Sequence, residues 1–230
     1  MIKYLIQAYI RRTKNKDFTF DDGIHPSVIA NLFLNKFVAL IRGLRFVPAN
    51  KKLNKIFAGK GLVLQNKSNI RVGNNVTIGN YVTLSGLGKK SLDIGDNVNI
   101  GSFSQVIIST SFDNIGSHIA IRQNVGFGEF SYLGGAGGLE IDEDTIIGQY
   151  FSAHPENHIF KEEGKPIRYQ GVSRQGIYIG KNCWIGSKVT ILDGVKIGNN
   201  CVIASGAVVN KSFDDNLLIG GVPAKILKEI

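Results

Sequence analysis

Residues 179–209 read IGKNCWIGSKVTILDGVKIGNNCVIASGAVV, and in this stretch a bulky aliphatic residue returns at every sixth position: Ile179, Ile185, Ile191, Ile197, Ile203 and Val209. A compact apolar side chain follows each of the first five by four residues, as Cys183, Val189, Val195, Cys201 and Ala207, and Gly180, Gly186 and Gly198 come directly after the aliphatic residue. A helix would need apolar residues at three-and-four spacing, and a hairpin strand would alternate without a six-residue return. A period of six with β-branched residues, and Gly or Asn between them, predicts short strands joined by turns and stacked as parallel coils around an internal aliphatic ladder.

Outward from that stretch the ladder continues in phased blocks: Val72, Ile78 and Leu84; Ile94, Ile100 and Val106; Ile115, Ile121 and Phe127; Ile141 and Ile147. Each block restarts after an insertion, which a solenoid tolerates because the chain can leave and re-enter at a corner. The largest insertion begins at His154, where about 26 residues separate the expected core position Ala153 from Ile179. This polar segment, HPENHIFKEEGKPIRYQGVSRQG, must leave the coil, and long loops in compact repeat domains are more often functional than idle. After Val209 the hexads stop, and the tail carries Lys225 and Lys228 three residues apart, as expected for one side of a helical turn. The organisation expected is a basic helical segment over 1–60, a β-solenoid over 61–210 with an excursion at 154–178, and a tail over 211–230.

Composition supports one such domain: 230 residues, 43% hydrophobic, with 28 glycines against 5 prolines, exclude a disordered or collagen-like chain. Cys183 and Cys201 lie three hexads apart, one full coil if each coil has three sides, so they should then stack as neighbours in the core; two cysteines supply neither a disulfide framework nor a zinc spacing. The net charge of +9 is N-terminal, because residues 1–60 hold twelve Lys or Arg and three Asp or Glu, a difference of nine. Two readings of that excess stand open: contact with an anionic membrane surface or partner, and the solvated face of a helical cap. Helices are expected over 1–16 and 26–44. The second is interrupted by Asn31, Asn35, Lys36 and Arg42, which argues against a membrane span. The short apolar part of MIKYLIQAYIRR argues against a secretory signal. A cytoplasmic protein, peripheral to the inner face of the membrane if the basic segment docks there, is the expectation. A balanced solenoid without a basic, aromatic-lined groove argues against nucleic acid as a partner.

The hexads, the loop opening with His154-Pro155, the run from Ile179 to Val209 and the ending GVPAKILKEI resemble the hexapeptide-repeat acyltransferases, closest to the galactoside, maltose and polysaccharide O-acetyltransferases. The resemblance covers residues 70–230 and is strongest after residue 150. It implies a mainly β fold, a left-handed parallel β-helix, despite the right-handed preference of parallel crossovers. It also implies a homotrimer with acetyl-coenzyme A (acetyl-CoA) bound between subunits, and no metal. On the family's pattern of His-Pro with a second His four positions after the first, His154 is the general base that takes the proton of an acceptor hydroxyl. Trp184, pointing outward beside the inward Ile185, would line the thioester passage, with Gly186 and Ser187 beside it. Ser205, Gly206, Asn210 and Lys211 would flank the pantetheine arm. Lys211, Lys225 and Lys228 would meet phosphates as point charges, where the galactoside enzymes carry arginines near the last two positions.

For the acceptor, a saccharide, the candidates are Glu129, Ser131 and Tyr132 from the Gly-rich block 124–140, with Glu156 and Asn157 from the excursion. The family's acceptor-binding asparagine has no counterpart in this chain. An alternative within the transferases is N-acetylation of a nucleotide-linked amino sugar. An alternative of another class is a zinc-dependent β-helical carbonic anhydrase, with His118, His154 and His158 as ligands converging across a subunit interface. The long excursion, Trp184 followed by Gly-Ser, and the GVPAK tail have no role in a hydratase.

Overall fold

Every aliphatic ladder residue from Ile179 to Val209 points inward and is at most 1% exposed, and the five compact residues between them are at most 2% exposed. The computed structural model describes residues 2–13, 16–21, 23–46 and 54–230. Its solenoid has three parallel faces. The first face starts at Ile56–Ala58 and runs through Val76–Ile78, Asn99–Ile100, Gly126–Phe127, Ile146–Ile147, Trp184–Ile185 and Val202–Ile203 to Leu217–Gly220. The second runs from Val63–Gln65 through Tyr132–Gly134 and Ser152–His154 to Thr190–Leu192 and Val208–Val209. The third runs from Ile70–Val72 through Ile119–Ile121 and Leu139–Ile141 to Ile177–Ile179 and Lys196–Ile197. Register keeps like with like: Ile147 pairs with Ile185, Ile185 with Ile203, and Ile203 with Ile219. Each buried Ile of such a ladder contributes about 1.5–3 kcal/mol relative to exposure.

The corners explain the small and polar residues between rungs. Between the third and first faces, Asn75, Asn97, Asn124, Asp144, Asn182, Asn200 and Asn216 all take positive φ. Asn and Asp tolerate that conformation. Their side chains also link successive coils, Asn97 Nδ2 donating to Asn124 Oδ1 at 2.9 Å and Asn200 Nδ2 to Asn216 Oδ1 at 3.0 Å. Between the first and second faces the same position holds Tyr81, Phe103, Phe130 and Tyr150, also at positive φ. Bulky side chains there cost roughly 1–2 kcal/mol each, offset by stacking of consecutive rings at centroid separations of 5.3, 5.0 and 5.1 Å.

Several boundaries differ from the spacing. Ile56 pairs with Val76, so the coil begins ahead of residue 61. Ile115 belongs to the insertion: it is only partly buried, and the third-face rung is Ile121, which pairs with Ile94 and Ile141. Beyond Val209, Phe213 bridges to Ile197 and Ile219 adds a further rung past residue 210. The tail is not a helical turn. Lys225–Glu229 is a strand antiparallel to Leu217–Gly220, with a bulge between Leu218 and Ile219. Cys183 and Cys201 are free, buried and stacked one coil apart, as the spacing requires. Burial raises the Cys183 thiol to about 11, which leaves it protonated and unreactive.

Ahead of the coil, α1 (Ile2–Thr13) and α2 (Pro26–Gly43) form where helices are expected; residues 1, 14 and 15 of the first expected helix lie outside the described residues. Pro26 occupies the first helical turn, and the His25 ring accepts from the Ser27 N–H at the N-cap. The C-terminal end of α2 packs on the first rung so closely that a Cβ at Gly43 would lie 1.8 Å from the Ile56 carbonyl oxygen. The interruptions by Asn31, Asn35, Lys36 and Arg42 do not disqualify this region as a span in the way expected from the sequence. By length and composition, Pro26–Phe46 is long and apolar enough to cross a membrane.

Candidate active site

His154 is the last residue of its strand, next to the buried Ala153 and opposite Leu192, so its side chain leaves the second face at the root of the excursion. Tyr132, one coil earlier, stacks on it with ring centroids 5.3 Å apart and planes 22° apart. In register, Tyr132 pairs with Ser152 and not with His154, so its ring must lean across Gly134. A Cβ at Gly134 would lie 3.3 Å from the Tyr132 ring edge and 3.1 Å from Pro155 Cδ. Glycine at this position leaves the room the stack uses. The imidazole keeps an open outer edge, and the crowding on its other side lowers its pKa below the ordinary 6.5 by burial. At neutral pH the ring is therefore uncharged and can accept a proton. The Tyr132 phenol is raised, first by burial and then by the Glu156 carboxylate, so it stays protonated.

The excursion is anchored on both sides of this histidine. Arg174 Nε donates to Glu156 Oε2 at 2.6 Å, while its Nη1 and Nη2 donate to Asn114 Oδ1 and the Asn114 carbonyl at 2.9 and 3.1 Å. Asn157–His158 pairs antiparallel with Val172–Ser173, and Asp193 Oδ1 accepts from the Gln175 and Gly176 N–H groups at 2.9 Å each. Inside the loop, the amide of Gln170 bridges the Glu162 and Lys165 backbone. Arg174, Asn114 and Asp193 carry no sequence signal, because their partners come from separate coils.

Other expected residues fall into distinct groups. Trp184 points outward from the first face and is 58% exposed, between Ile146 and Val202 in register. Gly186, Ser187, Ser205 and Gly206 line the corner between the first and second faces. There Ser187 Oγ donates to Gln149 Oε1 at 2.9 Å, and space is open where a Cβ of Gly206 would lie. Asn210 and Lys211 are exposed at the end of the second face, Lys211 Nζ lying over the Phe213 ring at 5.5 Å. Lys225 pairs with Gly220 and Lys228 with Leu218, both across from outward positions, because the bulge absorbs one of the two residues between them. The two lysines thus share a side even though they lie on a strand. Lys228, Leu218, Val202 and Trp184 form one row across the first face.

The acceptor candidates sit in different places, and only Ser131 needs correction. Ser131 is 2% exposed and its hydroxyl donates to the Gly128 carbonyl, so it lines the interior and cannot meet an acceptor. Glu129 sits on the aromatic corner, away from the His154 end of the second face. Glu156 is paired with Arg174 through Oε2, which braces the loop. Asn157 is exposed in the excursion hairpin. The hydratase alternative also meets a positive obstacle: both ring nitrogens of His118 are taken, Nδ1 by Ser117 Oγ at 2.9 Å and Nε2 by Glu140 Oε1 at 3.2 Å. An open depression of about 520 Å³ on the third face, between Arg71, Asp93, Arg122 and Glu143, lies apart from His154.

A family signature described as bacterial transferase hexapeptide (six repeats) matches residues 176–211. The match lies within the three-faced parallel coil, and the chain is similar to the hexapeptide-repeat acyltransferases, whose fold is a left-handed parallel β-helix. Galactoside O-acetyltransferase of Escherichia coli K12 is 30% identical over 141 residues, which are 59% of this chain and 56% of that protein. WbbJ of the same strain, named for O-acetyl transfer in lipopolysaccharide biosynthesis, is 27% identical over 173 residues, 72% and 74% of the two chains. The chain spans only 55% of a further relative from Mycobacterium tuberculosis. Among solved structures, a point mutant of AntD, an N-acyltransferase from Bacillus cereus in complex with dTDP and coenzyme A, superposes with a TM-score of 0.50 at 19% identity, covering 74% of this chain and 84% of that one.

Proposed function

We propose that the chain is an O-acetyltransferase that moves an acetyl group from acetyl-CoA to a saccharide hydroxyl, and that the acceptor is a surface polysaccharide or its precursor. The observation that carries this reading is His154 itself: an uncharged imidazole, stacked on Tyr132 and open on one edge, at the root of a braced loop. The relatives named for galactoside and lipopolysaccharide O-acetylation support the acceptor class.

In the proposed step the acceptor oxygen bonds to the acetyl carbonyl carbon as the carbon–sulfur bond breaks. His154 takes the hydroxyl proton and returns it to the departing sulfur, so the imidazole ends as it began. Acetyl-CoA supplies the activated acyl group. Trp184 offers an apolar wall for its thioester end, and Ser205 with Gly206 an uncrowded corner for the pantetheine arm. Lys225 and Lys228, on one side of the terminal strand, offer positive charge to its phosphates. Trp184 and His154 leave different faces of one solenoid, which supports a site shared between adjacent copies of a homotrimer.

The test is thiol release from acetyl-CoA by the purified protein against a panel of saccharides and amino sugars. Acceptor-dependent release is expected with a hydroxyl acceptor, and His154→Ala should lower kcat by ~10²–10⁴. Full activity in the His154 variant would end this reading, and release only with amine acceptors would replace it with N-acetylation.

A further inference from the structure

The helix α2 is amphipathic twice over. One stripe, with Ile29 and Gly43, faces the protein, and Lys36 reaches over the Phe57 ring of the first rung. Around the helix from that stripe, Phe33, Leu34, Phe37, Ile41 and Leu44 recur at helical spacing, and each is 49–61% exposed. Five large apolar side chains on one open helix face are more than isolated surface residues require. Neither α1 nor α2 contains a carboxylate, whereas together they carry Lys3, Arg11, Arg12, Lys36 and Arg42, and the whole +9 of the chain lies within residues 1–60.

We propose that this face of α2 docks on an anionic lipid bilayer, lying in the plane of the interface. Charge decides between the two occupants that an apolar stripe admits. A second copy on the same face would bring two basic, carboxylate-free helix pairs together, and their like charges would oppose association. An anionic leaflet instead attracts each nearby Lys or Arg by about 1 kcal/mol, while the phenylalanine and leucine side chains enter the headgroup boundary by ~5–10 Å. A lipid-surrounded span fits this structure less well than docking, because Ile29 and Gly43 are buried and the C-terminal end of the helix packs on Ile56. Docking would hold the solenoid beside the membrane, where lipid-borne acceptors would be concentrated, yet it does not depend on the proposed reaction, so the two ideas fail separately.

Flotation of the full-length protein with vesicles of phosphatidylglycerol and phosphatidylcholine, and with phosphatidylcholine alone, tests it. The protein should float with the anionic vesicles and remain behind with the neutral ones. Leu34→Asp/Phe37→Asp, which alters two side chains already exposed, should reduce the floated fraction by about tenfold or more, with an unchanged circular dichroism spectrum. Milder Phe37→Ser serves if the double variant is poorly folded. No flotation with anionic vesicles would overturn the proposal, as would flotation that the variants leave intact. A variant that reduces the size of the assembly in solution, with no lipid binding by the parent protein, would assign the face to a second copy.

Discussion

The stack of Tyr132 on His154 ties the reactivity of one residue to the packing of another. Since burial lowers the histidine pKa, the ring gains its proton only as pH falls through a value below 6.5, and a protonated ring cannot accept one. The acid limb of kcat/KM should therefore have its midpoint below 6.5, with activity lost as pH falls through it. Tyr132→Leu removes the overlying ring, so the midpoint should rise toward 6.5, and kcat should fall by less than in His154→Ala. Tyr132→Phe keeps the stack and should keep the limb in place. A wild-type limb at or above 6.5, or one unmoved in the leucine variant, would show that this packing does not tune the base. The place of His154 at the root of the excursion was legible in the sequence, because the missing hexads begin there, whereas its part as a base rests on the family resemblance. The role of its partner Tyr132 was not legible, since it rests on a ring leaning across Gly134 between coils. Ser131 illustrates the same limit: its place in the corner, not its type or neighbours, decides that it faces inward.

At the scale of elements, the excursion is held by one arginine that gathers Glu156 and the Asn114 turn, with its own side chain 19% exposed. Hydrogen bonds to charged groups of this kind are worth about 1.5–3 kcal/mol, so Arg174→Ala should free the loop without unfolding the coil, whose core it does not enter. Trypsin should then cut near Lys161, Lys165 or Arg168 at least about tenfold faster, while the melting temperature of the solenoid stays close to that of the parent. Glu156→Gln keeps an acceptor and should have the smaller effect. Equal cleavage rates in all three proteins would mean that the hairpin and Gln170 suffice. That an excursion exists follows from the missing hexads. Its bracing does not, because each anchor joins positions far apart in the chain. The terminal strand is a similar case: spacing of three suggested a helical turn, whereas edge pairing and one bulge bring Lys225 and Lys228 to the same side by another route.

For the whole molecule, a period of six was enough to give stacked short strands on an aliphatic core, since each rung repeats the same burial with the same residue types, whereas the count of three faces comes from the structure. The period says nothing about which outward residues meet, because that depends on how copies assemble. Within one chain Trp184 leaves the first face and His154 the second, with a corner between them, an arrangement that suits a site shared between copies. If adjacent copies form each site, with the histidine from one and the tryptophan from its neighbour, two inactive variants can rescue one another. Co-expressed in equal amounts, His154→Ala and Trp184→Ala chains assembled at random in a closed ring would place an intact histidine beside an intact tryptophan at about a quarter of the junctions. Activity near a quarter of the parent's is therefore expected from the mixed assemblies, against background from either variant alone. Activity no higher than the better single variant, in assemblies shown to contain both chains, would mean that one chain supplies both residues, and the shared site between copies would have to be abandoned.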